Sequence, residues 1–423
     1  MATAIPKAPT LGSPRDFGSI IKLDYPCKED PVSILNGRPS KLVPVGQTGH
    51  AEPCGEFLFG DNLPILLKLL EDYAGTVKLV YIDPPFAAAG NFSTRSLAHA
   101  YDDILHGYHY IEFIRKRLIV IRELLSLEGS VYLHLDENMA FTMKVIMDEV
   151  FGPDNFRNFI VRKKCNPKNF TRRSFGNVSD YILFYTKSTN YTFNKQYQAW
   201  TDETAKREYQ YADVDGRRFK KVPIHAPGIR NGETGKEWKG MMPPPGKHWQ
   251  YKPETLDRMD KESQIYWSPN GNPRRKIYLE DSGGIPLQDI WLDCKDPHNQ
   301  MICITGYPTE KNLQLLERIV LASSNPGDIV LDAFVGSGTT IQAALNHDRI
   351  GIGIDKSPES FRAVLDRFTN GTSRMGDFVK SPRKQATQLS LNIESIELKS
   401  SEESLDAARE VLNGGTNRRA KAA

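Results

Sequence analysis

The chain has 423 residues, 39% hydrophobic and 25% charged, enough for one large or two ordinary soluble domains with a substantial core. Its five cysteines (Cys27, Cys54, Cys165, Cys294, Cys303) are odd in number and form no C-x-x-C pair, so they indicate neither a disulfide framework nor a zinc site. The N-terminus lacks the apolar core of a signal peptide, and no uncharged apolar run reaches the ~18 residues of a membrane span; reduced thiols, no metal and no membrane are the expectation.

The net charge of +3 is unevenly spread. Residues 151–280 carry 25 Lys and Arg against 14 Asp and Glu, +11, which leaves −8 for the remainder. The same window holds 21 of the 41 aromatics. A basic, aromatic-rich segment in an otherwise acidic chain points to a polyanion partner.

Residues 1–50 are rich in Pro, Gly and Ser and read as an extension laid over a domain. Phe57 to Phe59 reads as a strand tip, and Gly60-Asp61-Asn62 turns into an apolar helix over Leu63 to Leu70, with Asp61 or Asn62 suited to its N-cap. Val77 to Ile82 is a buried strand that runs into Asp83-Pro84-Pro85-Phe86. Prolines cannot extend a ladder, so the chain leaves the sheet in a stiff turn. One carboxylate, one rigid carbonyl and one aromatic face then sit at the carboxyl edge of a sheet, where ligands bind in open α/β folds. Residues 87–106, which open with Ala87-Ala88-Ala89-Gly90, read as a mobile loop over that site.

Gly107 to Leu127 reads as a helix, with Ile111, Ile114, Leu118, Ile121 and Leu125 on one stripe and Arg115, Lys116, Arg117 and Arg122 on a solvated face. Gly129 breaks it, and Ser130 to Leu135 is a buried strand ending at Asp136. His134 reads as a packed core histidine, because no other His or Cys lies at metal spacing. A helix over Asn138 to Val150, ended by Gly152-Pro153, precedes a strand over Asp180 to Tyr185. This alternation implies parallel pairing with right-handed crossovers.

From Ser188 to about Gln288 the alternation is lost, and Gly, Pro, aromatic and basic residues dominate. Then Leu313, Leu316, Ile319 and Val320 stripe a helix that leads to the strand Ile329 to Leu331. Asp332, Phe334 and Gly336-Ser337-Gly338-Thr339-Thr340 follow, and then an apolar helix. Such a glycine turn lets the backbone approach a ligand closely. A strand over Ile350 to Ile354 ends in Asp355, placed to meet ribose hydroxyls. The G-x-G-x-x-G spacing is absent, and no lysine follows the glycines as a phosphate loop requires. From about residue 380 the chain reads as a short appendage and a disordered tail.

Asp83 to Phe86 and Asp332 to Thr340 together resemble the D-P-P-[YF] and D-x-F-x-G-S-G-T-T motifs of the DNA amino-methyltransferases. The catalytic motif comes first, as in the β group of that family and in the modification subunits of type III restriction systems. The likeness continues through Phe59 to Asn62, Gly129 to Asp136, Met147 to Asn158 and Thr309-Glu310-Lys311, covering residues 56–187 and 277–360. It implies an α/β fold: a mostly parallel seven-stranded Rossmann-like methyltransferase sheet, circularly permuted, with an inserted target-recognition region. The implied parts are an extension (1–50), a catalytic half (51–187), the insert (188–288), a cofactor half (289–380) and an appendage (381–423).

The resemblance also implies roles. Asp83, Pro84, Pro85 and Phe86 would be catalytic. Asp61, Asn62, Thr309, Lys311, Asp332, Phe334, Gly336, Ser337, Gly338, Thr339, Thr340 and Asp355 would hold S-adenosyl-L-methionine. Lys163, Lys164, Arg172, Arg173, Arg217, Arg218, Lys220, Lys221, Arg274 and Arg275 are the candidate contacts to double-stranded DNA. A bacterial or archaeal cytoplasmic enzyme is implied; a homodimer and a cognate restriction subunit stay open.

The chemistry follows from the amine. Its lone pair is delocalised into the nucleobase ring, so it is a poor nucleophile. A carboxylate (Asp83) and a backbone carbonyl (Pro84) accepting its two N–H bonds favour a pyramidal nitrogen, and a proline-locked turn fixes both acceptors beforehand. The base must leave the duplex, at a few kcal/mol, and Phe86 can stack on it for ~1–3 kcal/mol. Asp before the prolines is the adenine-associated form. The alternatives are cytosine N4 methylation, a non-catalytic DNA-binding subunit retaining the fold, and an RNA substrate.

Overall fold

The computed structural model describes residues 21–49, 52, 54–85, 107–166, 173–296, 303–307, 309–374 and 395–420. Phe86, the loop 87–106, Arg172 and the stretch 381–394 of the expected tail lie outside the described residues.

Ten strands form the main sheet among these residues: β1 (Leu42–Gln47), β2 (Gly55–Phe59), β3 (Val77–Ile82), β4 (Leu125–Leu135), β5 (Phe156–Lys163), β6 (Ser179–Thr186), β7 (Ile290–Trp291), β8 (Ile329–Asp332), β9 (Ile350–Asp355) and β10 (Ile396–Ser401). Their order in space is β1-β10-β2-β9-β8-β3-β4-β6-β5-β7. Only β1 and β6 run against the rest. The expected seven strands are the central run β2-β9-β8-β3-β4-β6-β5, and the sheet is wider by β1 and β10 on one edge and β7 on the other.

The middle strands carry apolar residues on both faces because both faces are covered. Val80 and Ile82 of β3 face a core that includes Ile114, Leu118 and Ile121 of the Gly107–Leu124 helix. Leu79 and Tyr81 face the opposite core with Leu315, Leu316 and Ile319 of the Leu313–Ser323 helix. A third cluster joins Phe57 and Phe59 of β2 to Phe361, Val364 and Phe368 of the Pro358–Asn370 helix and to Ile396 and Leu398 of β10.

Three expectations are corrected. The helix after residue 107 ends at Leu124 and β4 starts at Leu125, so Gly129 lies inside a strand, beside a register shift between Val77 and Leu79. Arg115 and Arg117 are buried, not solvated. Arg115 is neutralised by Glu112, one turn earlier on its own helix, at 3.0 Å and donates to the Glu29 carbonyl, while Tyr25 also donates to Glu112; Tyr25 and Glu29 come from a distant N-terminal segment that covers this face. The region after residue 380 is not all tail: β10 sits between β1 and β2, and Leu405–Ala420 is helical. Ile396 and Leu398 are buried every second residue, a strand pattern too short to stand out in sequence.

Lys195–Leu287 is a second compact unit, with the remainder of the chain forming the first. It carries an antiparallel sheet of Tyr211–Ala212, Arg218–Pro223, Pro273–Tyr278 and Ile265–Trp267. Its own core gathers Ile224, Trp238, Trp249, Leu256, Met259 and Ile265. Among the described residues no helix is long and apolar enough to cross a membrane.

Candidate functional site

Strand register brings the two sequence motifs together. β8 pairs in parallel with β3, with Asp332 opposite Tyr81, so both strands end at the same level. Asp83 leaves β3 two residues beyond that pair, followed by buried Pro84 and half-buried Pro85. Four neighbouring strands, β2, β9, β8 and β3, each end at or next to an aspartate on this edge: Asp61, Asp355, Asp332 and Asp83.

Asp83 is held by side chains from elsewhere. Its Oδ2 is ion-paired with Lys311, and its Oδ1 is buried without a hydrogen bond, 3.9 Å from Nδ1 of His134. His134 is fully buried, as a core histidine should be, yet it lies directly behind the corner. The Tyr81 hydroxyl is 2.7 Å from its Nδ1, and Asp180 Oδ2 is 2.9 Å from its Nε2. Asp180 in turn is gripped by Arg162 through two bonds of 2.8 and 2.7 Å; burial would raise its carboxyl, and the adjoining His134 and Arg162 outweigh it and hold the carboxyl far below the usual range.

Asp332 is treated differently. Its carboxylate accepts the Phe334 backbone N–H at 2.9 Å and the Thr340 hydroxyl. Burial pushes this carboxyl up to about 7, with the nearby charges of Asp83 and Asp355 adding and the two hydrogen bonds opposing. The turn beyond it needs its glycines. Gly336 has φ of 53°, and a Cβ there would meet the Tyr307 ring at 3.3 Å. Gly338, at φ of 81°, closes the turn against Val364 and Phe368, 3.2 and 3.3 Å from where its Cβ would be. Asp355 ties the turn down, accepting N–H groups from Gly336 at 3.0 Å and Ser357 at 2.8 Å. Burial raises its carboxyl as well.

One group central to this geometry, Arg367, carries no signal in the sequence. Arg367, 3% exposed, donates to the Ser337 carbonyl at 2.7 Å and to the Thr339 hydroxyl at 3.1 Å, and it is ion-paired with Glu310. Glu310 also accepts from the backbone and hydroxyl of Thr305. This buried pair clamps the 305–311 segment, and so Lys311, to the glycine turn. Thr309 beside it is exposed and has φ of 64°, a strained value for threonine. A motif reading of Thr309-Glu310-Lys311 marks the segment but not the partner 57 residues on.

Asp61 is the N-cap of the Asn62–Tyr73 helix, accepting from Leu63 N at 2.9 Å, and it also meets Arg117 at 3.1 Å. Asn62 is buried and donates to the Ala333 carbonyl at 2.7 Å while accepting from Arg117 Nε. Its side chain is therefore taken up in fixing the end of β8. Phe334 packs on Phe113, rings 5.9 Å apart.

The residues suit a cationic, hydroxyl-bearing cofactor. Asp332 and Asp355 sit at adjacent strand ends and repel a phosphate, and a side chain at Gly336 would crowd the Tyr307 ring. S-adenosylmethionine has the matching features: a sulfonium, an ammonium and ribose hydroxyls. Among the described residues no group of three or more His, Cys, Asp or Glu could hold a metal ion.

Of the basic candidates, Lys163 and Lys164 lie at the end of β5 and Arg173 is exposed. Arg217, Arg218, Lys220, Lys221, Arg274 and Arg275 belong to the second unit. There Lys221 lies over the rings of Tyr211 and Tyr266 at 3.4 and 3.5 Å, on a sheet face shared with Phe219, Lys276, Tyr278 and Arg274. Arg274 and Arg217 are exposed, and Arg217 pairs with Asp215 at 2.6 Å. Arg218 donates to the Tyr209 carbonyl and Arg275 to the Tyr251 hydroxyl, while Lys220 lies over Tyr209.

A model of the DNA methylase family matches residues 77–366. The type II methyltransferase M.EcaI of Enterobacter cloacae is 45% identical over 381 residues, 89% of this chain and 84% of its own length. The DNA adenine methyltransferase YhdJ of Escherichia coli is 26% identical over 332 residues, 78% of this chain and 88% of its own. The Mod subunit of the type III restriction-modification enzyme StyLTI of Salmonella typhimurium is 26% identical over 333 residues, 69% of this chain; the match spans half of that subunit's length. The chain belongs to the DNA methylase family, which is S-adenosylmethionine-dependent.

Proposed function

From membership of that family, we propose that this chain methylates the exocyclic N6 amine of an adenine flipped out of double-stranded DNA at a specific sequence. The observation that carries the reading is the pairing of Tyr81 with Asp332, which puts the aspartate-proline corner and the glycine turn one strand apart at the same edge. Two reactants held on adjacent strand ends meet without a diffusive search, the entropic part of a rate gain.

S-adenosylmethionine, when bound, supplies an electrophilic methyl. Asp355 and the backbone of Gly336 are placed to meet its ribose, and Asp332 lines the same edge. Asp83 accepts one N–H of the target amine and the Pro84 carbonyl the other, which turns the nitrogen lone pair outward. Lys311 on Oδ2 fixes the carboxylate before the base arrives. Asp rather than Ser at position 83, and the likeness to an adenine methyltransferase, support adenine over cytosine. The basic and aromatic face of the second unit suits phosphates and unstacked bases. A cognate restriction subunit fits the same reading, since one relative is a Mod subunit.

The test is mass spectrometry of nucleosides from DNA incubated with the protein and S-adenosylmethionine. N6-methyladenine is expected. N4-methylcytosine would overturn the choice of base, and no methylated nucleoside on any DNA would overturn catalysis.

A further inference from the structure

We propose that His134 is a positioning residue for methyl transfer, keeping the Tyr81 hydroxyl turned away from Asp83; the inference rests on the reading of Asp83 given above. Nε2 of His134 faces Asp180 Oδ2 at 2.9 Å, and a carboxylate can only accept. The ring therefore carries its proton on Nε2, and Nδ1 is left as the acceptor for the Tyr81 hydroxyl at 2.7 Å.

The groups that enforce this tautomer are costly to bury. Arg162 is 0% exposed and Asp180 2% exposed, and Arg162 also reaches Asp296 at 2.7 Å and the Cys294 carbonyl at 3.1 Å. A buried ionic chain of this kind is seldom more stabilising than apolar side chains of the same volume. β3, β4 and β6 are otherwise apolar here, so folding alone does not call for it. The chain runs toward the catalytic corner: Arg162 to Asp180, Asp180 to His134, His134 to Tyr81, with Asp83 Oδ1 3.9 Å from the same Nδ1.

Asp83 Oδ1, 3.9 Å from the same Nδ1 that the Tyr81 hydroxyl meets, is buried and has no hydrogen bond among the described residues. Burial and the charge of Asp83 keep that hydroxyl protonated, so its proton must go to some acceptor. With Nδ1 in place it goes to His134. Without Nδ1 it turns to Oδ1 and draws the carboxylate back into the sheet, away from the amine.

The experiment compares His134→Gln with the double variant Tyr81→Phe/His134→Gln under saturating DNA and S-adenosylmethionine. Gln keeps a polar group near Asp180 and loses the acceptor at Nδ1. His134→Gln is expected to lower kcat by about 10²-fold with both KM values within a few-fold of wild type. Removing the tyrosine hydroxyl in the double variant is expected to recover most of that loss. A folded His134→Gln with wild-type kcat overturns the proposal, and so does a loss that the double variant leaves unchanged. Should His134→Gln not fold, Asp180→Asn tests the same chain. Arg162 keeps the amide oxygen, the amide N–H faces Nε2, the ring proton moves to Nδ1, and kcat is expected to fall; wild-type kcat in folded Asp180→Asn overturns the proposal. Asp83→Asn is assayed alongside: wild-type turnover there removes the reading of Asp83 itself, whereas an inactive Asp83→Asn beside a fully active His134→Gln removes only the role of His134.

Discussion

The two carboxylates at the ends of β3 and β8 are one strand apart and are held in opposite ways. Asp83 meets a side-chain cation, Lys311, on one oxygen and, among the described residues, has no hydrogen bond on the other. Asp332 has an oxygen on the Phe334 backbone and an oxygen on the Thr340 hydroxyl, both from its own turn. The first is poised with an open lone pair; the second is a fastener for the loop. The difference teaches how one acidic edge can separate chemistry from architecture: partners distant in the chain leave an acid available, and local partners close it off.

The largest effect should come from the open acid. Asp83→Ala is expected to lower methyl transfer by roughly 10²–10³-fold or more while S-adenosylmethionine still binds in a calorimetric titration. Equal loss of both would break the comparison, because the corner would then belong to the cofactor seat. Next comes the clamp on the closed side. Arg367→Met leaves Glu310 buried and uncompensated, a destabilisation of about 3–5 kcal/mol, and should loosen the glycine turn. Weaker cofactor binding and a lower Tm are expected, with kcat at saturation changed less; wild-type affinity would show that the turn needs no clamp.

Lys311→Met should sharpen the contrast further. It removes the cation that fixes the Asp83 carboxylate, so kcat is expected to fall about tenfold with a smaller change in Tm than Arg367→Met gives. The smallest effect is on stability against pH. The Asp332 carboxyl is raised to about 7 in the fold, above its unfolded value. Its contribution is therefore complete at pH below the ordinary carboxylate range and is lost as pH climbs toward 7. The cofactor-free protein should melt at a lower temperature at pH 8 than at pH 6, and Asp332→Asn should narrow that difference in a calorimetric scan.

Both motif strands and their meeting edge were legible in the sequence, because a strand, its terminal acid and its turn residues are contiguous. Val77 to Ile82 and Ile329 to Asp332 need only a period and a breaker to be seen. What was hidden is whatever depends on a partner far along the chain. Arg117 looked solvated because Asp61 and Asn62 lie more than fifty residues earlier. Arg367 looked like any helix cation until Glu310 and the Ser337 carbonyl were beside it. His134 is a core histidine, but its link to Tyr81, Asp180 and Arg162 spans four strands and leaves no spacing to read. The insert was visible only as a change of composition, since short antiparallel strands such as Tyr211–Ala212 have too few residues to show a period.

The position of β10 has a consequence for how the molecule is made. Ile396–Ser401 is the parallel neighbour of β2, whose end carries Gly60 and Asp61 at the rim of the edge proposed to hold the cofactor. A nascent chain therefore reaches the ribosome exit with that rim unfinished, and translation must pass Ser401 before β2 gains its second flank. Truncation upstream of Ile396 would leave an exposed sheet edge prone to self-association, however complete the catalytic motifs looked.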